Sequence, residues 1–301
     1  MGVRKQAFHE VCSHPRKWED DCAIALFVAL GLLCTSLGSS ACPAKSPPVN
    51  IPRLIRNVAY NELHARSDSA HLYQYVQRQE SPQLSQTTLE IRTRRGTVGR
   101  LIRVNGKPPS ASQCAKSLHR LSRIAASRKL QRSRFRSQQA DMTRRESLFA
   151  VMPEAFIYHF EGIEKDSGWI RLKYEPNPQF HPTSRTEGVL EGLAGTLWVD
   201  PVSQRLVRIN GTLVKTVTFG WGILARLNPG GHFEMEQARV SDGSWQQTLL
   251  AVTFQGRILL VKKLEVNLRY TFRSFKRIAD DLTVSEAATQ LQQHHVQCEA
   301  Q

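Results

Sequence analysis

The sequence predicts an α+β protein whose main element is an antiparallel β-sheet. Runs that alternate apolar and polar residues recur along the chain, separated by short segments rich in Gly, Pro, Asn and Asp. Strands joined by such short connections pair antiparallel. Two other segments place apolar residues at helical spacing. With 301 residues, 41% of them hydrophobic, the chain can bury a substantial core.

Residues 1–41 are predicted to be a secretory signal peptide, and residues 42–50 a linker. A polar start precedes the apolar run CAIALFVALGLLCTSL, and small residues then lead to a cleavage position near Ala41. Two alternatives stay open. The run can be an uncleaved membrane anchor, although it is shorter than the roughly 20 residues that span a bilayer. Cys42 can carry a lipid, although Ser39 stands where a lipid-attachment motif has Leu.

The formal net charge of +15 favours anionic partners. Removal of residues 1–41 leaves this charge unchanged, because that segment contains as many basic as acidic residues. An exported protein first meets membrane headgroups, phosphate-bearing lipids and acidic glycans. We therefore expect a lipid or membrane-surface partner rather than a nucleic acid.

Three of the six cysteines, Cys42, Cys114 and Cys298, follow the predicted signal peptide. They form no disulfide framework, and no pair has the spacing of metal ligands. A bridge between Cys114 and Cys298 is compatible with an oxidising compartment, but two isolated positions do not determine it.

The first predicted helix covers residues 51–66, with Asn50 as its N-cap and Ile51, Leu54, Ile55 and Val58 at helical spacing. The period then changes to two, which is typical of strands. The predicted strands cover residues 71–79, 87–95 and 98–104, and they read as an antiparallel meander.

A basic helical segment is predicted over residues 110–147. It has no acidic residue between Cys114 and Ala140 and only a narrow apolar stripe. This pattern is typical of a solvated helix that crosses the sheet, or of an amphipathic helix that contacts an anionic surface. Phe135 is its single aromatic residue, so the stacking side chains of a single-strand nucleic-acid binder are missing. The residues predicted to contact an anionic surface are Lys116, Arg120, Arg123, Arg128, Lys129 and Arg132.

From residue 155 onward the chain alternates between strands and turns. The predicted strands cover residues 155–162, 168–176, 195–200, 204–210, 212–227, 231–240, 245–256 and 258–275. Residues 279–301 are predicted to be a weakly ordered tail.

No constellation for catalysis stands out in the sequence. Phosphate-binding loops, dinucleotide fingerprints, nucleophile elbows and zinc-protease motifs are missing from it. Asp200 precedes Pro201, which ends a strand and presets a turn, so its carboxylate is expected to accept backbone N–H groups. We therefore predict no catalytic residue, no metal ligand and no cofactor.

The chain contains, in this order, the segments YQYVQRQE, RLIRVNGKPPS, FEGIEKDSGWIRLKYEPNPQFHPTSR, LEGLAGTLWVDPVSQRLVRINGTLVKTVTFGWGILARLNPGGHFEMEQARVSDGSWQ and YTFRSFKRI. In these segments the chain resembles uncharacterised exported bacterial proteins and the wider lipoprotein-carrier group typified by LolA, LolB and RseB. The W-V-D-P turn between two strands, within residues 198–208, is the most particular feature. The resemblance covers residues 51–278.

The resemblance implies a strongly curved antiparallel sheet, an incomplete barrel, with helices covering one side. It also implies an apolar concave cavity that binds acyl chains, lipidated proteins or other amphiphiles without covalent chemistry. Trp198 lies on the opposite face of its strand from Leu197 and Val199, so both faces need a covering, which can be core or ligand. Candidate cavity residues, chosen as large aromatics on predicted strands, are Phe156, Tyr158, Phe160, Trp198, Phe219 and Trp221.

We therefore expect an exported binding protein, in the periplasm or on the periplasmic face of the outer membrane, that carries or senses lipid, lipoprotein or another amphiphile. The alternative is a regulatory or scaffolding module that binds an envelope protein by addition to a sheet edge. A hydrolase of glycan or lipid comes third, because it needs acidic or histidine side chains that converge in one pocket.

Overall fold

The computed structural model describes residues 49–68, 71–219, 225–258, 262–294 and 298. The predicted signal peptide and most of the predicted linker lie outside these residues, as does Trp221. None of the helices that are described has the length and apolar character needed to cross a membrane.

Four helices accompany the described strands. They are α1 (Ile51–Asp68), α2 (Ala111–Ala126), α3 (Arg128–Ala155) and α4 (Val284–Gln293). The strands are β1 (Leu72–Glu80), β2 (Ser85–Thr93), β3 (Gly96–Val104), β4 (Phe156–Ile163), β5 (Ile170–Pro176), β6 (Leu193–Asp200), β7 (Arg205–Leu213), β8 (Val217–Phe219), β9 (Ala225–Leu227), β10 (His232–Arg239), β11 (Trp245–Ile258) and β12 (Lys262–Ile278). A 3-10 turn, Glu187–Gly192, precedes β6.

These strands form one sheet in the order β3-β2-β1-β12-β11-β10-β7-β6-β5-β4, and β9 also pairs with β11 and β8. Every pairing is antiparallel. Among the described strands the sheet is not closed into a barrel, and β3 and β4 lie at its two ends. The predicted α+β class with an antiparallel sheet is confirmed.

The main core lies where α1 and the end of α3 pack on one face of the sheet. Leu54 and Val58 of α1 and Met152 of α3 are buried against apolar residues of β4 to β7 and β10. Leu172 and Leu197 are at the centre of this layer and are fully buried. This packing places α3 above the cavity described below.

A second core lies on the opposite face, at the β3 end of the sheet. Leu89 and Ile91 of β2 are buried there against α2 and α4. Glu90 and Arg92 alternate with them and line a cavity beneath α3. Helices therefore cover both faces at this end, which corrects the expectation that helices cover one side only.

The predicted helix over residues 110–147 is two helices that meet at Ser127. The Ser127 backbone is extended, with φ −114° and ψ 100°, and its side chain accepts a hydrogen bond from the backbone N–H of Leu130 at 3.3 Å. Because of this break, α2 stays on the α4 face while α3 continues past the edge strand β3 to the other face.

The segment predicted as a weakly ordered tail contains α4. Val284, Ala287, Ala288 and Leu291, spaced as one helical face, are buried in the second core. Cys298 beyond the helix forms a disulfide with Cys114 of α2. The small alanine side chains give α4 a weak apolar pattern in the sequence. Its buried face is recognised only from its packing against α2.

The predicted strand over residues 212–227 is divided. β7 ends at Leu213, β8 is Val217–Phe219 and β9 is Ala225–Leu227. Leu213, Val217 and Leu227 form a small separate cluster. The short strands β8 and β9 extend the sheet beyond β11.

Candidate ligand cavity and basic surface

A cavity of about 630 Å³ lies between the middle of α3 and the sheet. Its floor comes from β1, β2, β3, β7, β10 and β11, and its rim also includes the end of α1. The larger apolar side chains in its lining are Leu72, Tyr75, Phe135, Met142, Phe149, Met235 and Trp245. The charged side chains are Glu62, Glu90, Arg92, Arg94, Arg134, Asp141, Arg145 and Arg205, with His71 beside them.

Five arginines against three carboxylates give this lining an excess of positive charge. Arg92 donates to the Gln246 side chain at 3.2 Å and lies over the Tyr75 ring at 5.5 Å. Arg134 donates to the backbone carbonyl of Thr97 at 3.2 Å. The cavity can thus offer guanidinium groups and apolar surface to the same ligand.

Glu90 is the carboxylate that partly compensates this charge. Burial raises the pKa of Glu90, against the lowering effects of a hydrogen bond with Thr88 and of the nearby Arg120 and Arg134. Burial also lowers the pKa of Arg134, and Arg120 adds to that effect. The cluster is therefore a coupled group of charges at the edge of the cavity.

A buried ion pair closes the cavity on the α1 side. Arg205 donates to both carboxylate oxygens of Glu62, at 2.8 and 3.3 Å. The same carboxylate accepts from Gln237 at 3.0 Å and from the backbone N–H of Leu206 at 3.1 Å. The two side chains are only 5% (Glu62) and 14% (Arg205) exposed, so the pair fixes α1 on β7.

Gln138 and Arg134 attach α3 to the edge strand β3. The Gln138 side chain accepts from the backbone N–H of Thr97 at 2.9 Å and donates to its carbonyl at 3.3 Å. From α2, Arg120 donates to the carbonyl of Gly99 at 2.7 Å. These contacts hold the cavity wall at a fixed distance from the sheet.

Four of the aromatic residues predicted from sequence, Phe156, Tyr158, Phe160 and Trp198, do not line this cavity. Phe156 is buried in the main core, and Tyr158 and Phe160 pack against that core. Burial raises the pKa of Tyr158 well above its usual value, and its hydroxyl donates to the carbonyl of Met152 at 2.7 Å. These residues lie under α1 and the end of α3, so helices rather than a ligand cover them.

Trp198 faces away from the cavity. It lies opposite Arg208 of β7 on the other face, with the guanidinium 5.3 Å from its ring centroid. Phe219 belongs to β8, and its side chain is outside what the structure describes, as is all of Trp221. The cavity is instead lined by Tyr75 and Trp245, aromatic residues of strands that the prediction did not single out.

The six basic residues predicted to contact an anionic surface are all exposed. They divide into sets in the structure. Arg128 and Arg132 line an arginine groove with Arg95 and Arg136, while Arg120 is held by β3. Lys116, Arg123 and Lys129 are exposed outside this groove.

Asp200 is a turn residue, as its sequence context predicts. Its carboxylate accepts from the backbone N–H groups of Val202 and Ser203, each at 3.3 Å, and from Arg239 at 3.1 Å. Burial opposes ionisation, but hydrogen bonds from Ser203 and Val202 and the charge of Arg239 lower the pKa of Asp200. Leu197 of β6 pairs with Ile209 of β7, and a bulge after Trp198 shifts Val199 to pair with Leu206.

A sequence signal for the cavity wall exists in α3. Phe135, Met142 and Phe149 recur every seven residues in an otherwise charged segment, so they share one helical face. The predicted cavity residues are all on strands and this helix is predicted only as a basic surface, so the prediction does not include these three residues.

No known protein family, curated protein or solved structure matches the chain in the comparisons made. In the described part of the chain, no group of three or more His, Cys, Asp or Glu side chains is placed to hold a metal ion.

Proposed function

We propose that the protein reversibly binds an amphiphile with an anionic headgroup in the cavity between α3 and the sheet. The observation that carries the proposal is the mixed lining, in which Arg92 and Arg134 lie beside apolar side chains such as Tyr75, Phe149 and Met235. Apolar burial supplies affinity, and the arginines supply orientation through charge-assisted hydrogen bonds. The volume is within the roughly 300–1,000 Å³ of small-molecule sites.

In this proposal the protein is an exported carrier or sensor of lipid, lipoprotein or a related amphiphile, and it performs no covalent chemistry. The sheet curves around the ligand as an incomplete barrel, the geometry that the resemblance to the lipoprotein-carrier group implies. The predicted signal peptide supports export. The Cys114–Cys298 disulfide also supports it, because disulfides persist in oxidising compartments.

Isothermal titration calorimetry with dodecyl phosphate, below its critical micelle concentration, tests the proposal. We expect dodecyl phosphate to bind more tightly than neutral dodecyl maltoside. Arg92→Gln should weaken dodecyl phosphate binding about tenfold or more, because a hydrogen bond to a charged group is lost. Arg123→Gln on α2 is the matched control, since it removes the same charge outside the cavity.

Three results would contradict the proposal. The wild-type protein could fail to bind either ligand, or it could bind both with equal affinity. The Arg123→Gln and Arg92→Gln variants could also lose the same amount of affinity for dodecyl phosphate. The last result would mean that only the net charge of the protein attracts the ligand.

A second candidate function rests on the edge strand β4. Among the described strands β4 pairs only with β5, and its Ile157 and Ile163 side chains are 41% and 54% exposed. An extended segment of an envelope protein can add to such an edge. If so, a purified partner should bind the wild-type protein, and Ile157→Lys with Ile163→Lys should abolish this binding while dodecyl phosphate binding stays intact.

A further inference from the structure

A groove of about 1,090 Å³ lies between the first half of α3, the turn between β2 and β3, and the start of α4. Arg128, Arg132 and Arg136 follow one another at four-residue intervals on α3, so they project from one helical face. Arg95 of the β2–β3 turn lies across from them, and Gln131, Phe135 and Val284 complete the lining. This set of residues is called the arginine groove below.

The charge of the arginine groove has no protein counterpart in the described residues. None of its four arginines takes part in the ion pairs there, and the first turn of α3 contains no acidic residue. Like charges four residues apart repel each other, and cations near a helix N-terminus oppose the helix dipole. Such a locally unfavourable arrangement is typical of a binding site.

The helix that carries these arginines is fixed in place. The side-chain amide of Gln131 donates to the carbonyls of Ile124 and Ala125 at the end of α2, at 2.8 and 3.2 Å, and to the Ser285 hydroxyl of α4 at 3.1 Å. Ser285 in turn donates to the carbonyl of Ala125 at 3.0 Å. The arginines thus extend from a rigid three-helix junction, which lowers the ordering cost of binding.

We propose that the arginine groove docks the protein on the phosphate headgroups of an anionic phospholipid bilayer. Guanidinium groups bind phosphate oxygens in a bidentate manner. From Arg128 to Arg136 the helix rises by about 12 Å, a span that suits several adjacent headgroups better than one free phosphate ion. This inference rests on the proposed function, since an exported amphiphile-binding protein must meet the membrane that holds its ligand.

Phe135 connects the two sites, because its side chain lines both the arginine groove and the cavity. An aromatic ring beside cationic side chains is typical of a membrane interface. A docked protein would thus hold the part of the cavity lined by Phe135 near the lipid surface. A single-stranded nucleic acid is disfavoured as the occupant, because Phe135 is the single aromatic residue of the groove on which a base could stack.

Vesicle flotation tests the docking. The wild-type protein should float with phosphatidylcholine vesicles that contain about 30 mol % phosphatidylglycerol and not with pure phosphatidylcholine, because the attraction is to anionic lipid. Arg128→Gln/Arg132→Gln/Arg136→Gln should weaken the vesicle affinity about a hundredfold, at about fivefold for each charge removed. The control Lys116→Gln/Arg123→Gln/Lys129→Gln removes the same charge outside the groove, and its vesicle affinity should fall only a few-fold.

Glutamine keeps the helix propensity of these positions, and far-ultraviolet circular dichroism verifies that both variants fold. Three results would overturn the inference. Both triple variants could lose the same vesicle affinity, the wild-type protein could float equally well with neutral vesicles, or the groove could bind duplex DNA more tightly than vesicles. Dodecyl phosphate calorimetry on the groove variant separates the two proposals. If the groove variant loses docking but keeps the wild-type affinity for dodecyl phosphate, and this affinity still depends on Arg92, the loss is due to the groove and not to the cavity.

Discussion

Glu90 is a carboxyl group of the cavity lining whose pKa is shifted in the folded protein. Its pKa is raised by burial, although Thr88, Arg120 and Arg134 act in the opposite direction. A carboxyl whose pKa is higher in the folded than in the unfolded protein favours folding while it is protonated in both states. This stability is present below the ordinary pKa of about 4.5 and is lost as the pH rises through the folded pKa.

Glu90→Gln should therefore raise the free energy of unfolding at neutral pH, because the amide removes the buried charge. The gain should shrink as the pH falls through the raised folded pKa of Glu90 and should be absent below about 4.5, where the wild-type side chain is protonated in both the folded and the unfolded state. Urea unfolding curves of both proteins between pH 3 and about 7 measure the difference. A variant that is less stable than wild type at neutral pH would show that the attraction to Arg120 and Arg134 outweighs burial.

The Glu62–Arg205 pair is the most buried ion pair described in the structure, with side-chain exposures of 5% and 14%. Glu62→Ala leaves the Arg205 charge without a partner, so we expect a loss of about 3–5 kcal/mol in the free energy of unfolding. Glu265→Ala is the control, because the Lys263–Glu265 pair is 75% and 54% exposed and should contribute less than about 1 kcal/mol. A loss of similar size in both variants would contradict a structural role for the Glu62 carboxylate.

At the scale of elements, α4 has a weak apolar pattern in the sequence but a well-buried face in the second core. Thr283 and Glu286 form a capping box at its start, a signature that is visible in the sequence. Two of the four residues on its buried face, Ala287 and Ala288, are alanines, which give little apolar signal. Arg100 of β3 donates to the carbonyls of Leu291 and Gln292 at 2.6 and 2.8 Å and so fixes the end of the helix.

The Cys114–Cys298 bridge should stabilise this arrangement. It joins residues 184 positions apart, and closing a loop of that size restricts the unfolded chain. The variant Cys114→Ser/Cys298→Ser should lose about 2–5 kcal/mol in the free energy of unfolding. A reducing agent should destabilise the wild-type protein by a similar amount and leave the variant unchanged. Equal stability of oxidised and reduced wild-type protein would contradict the expectation.

The basic segment is the second element whose position sequence did not predict. A continuous helix over residues 110–147 would lie on one face of the sheet. The extended backbone at Ser127 instead allows α2 to cover the α4 face and α3 to reach the cavity face. The same break places Arg128 and Arg132 in the arginine groove and leaves Lys116 and Arg123 outside it.

At the scale of the whole molecule, one long-range pairing joins the two parts of the sheet. β1 pairs with β12 along registers such as Leu72 with Ile278 and Glu80 with Arg269. β12 also pairs with β11. The β1–β3 ribbon thus becomes one end of a sheet whose other end is β4, and the cavity forms where α3 bridges the two parts.

The sequence by itself determined the α+β class, the position of most strands, the turn role of Asp200 and the excess of positive charge. These properties depend on residue periodicity, turn chemistry and composition, which act over a few neighbours. The tertiary structure decided which residues line the cavity, that Trp198 faces away from it, that α4 is packed and that Cys114 bonds to Cys298. Each of these depends on contacts between residues far apart in the chain, where a local pattern gives no information on which face meets which partner.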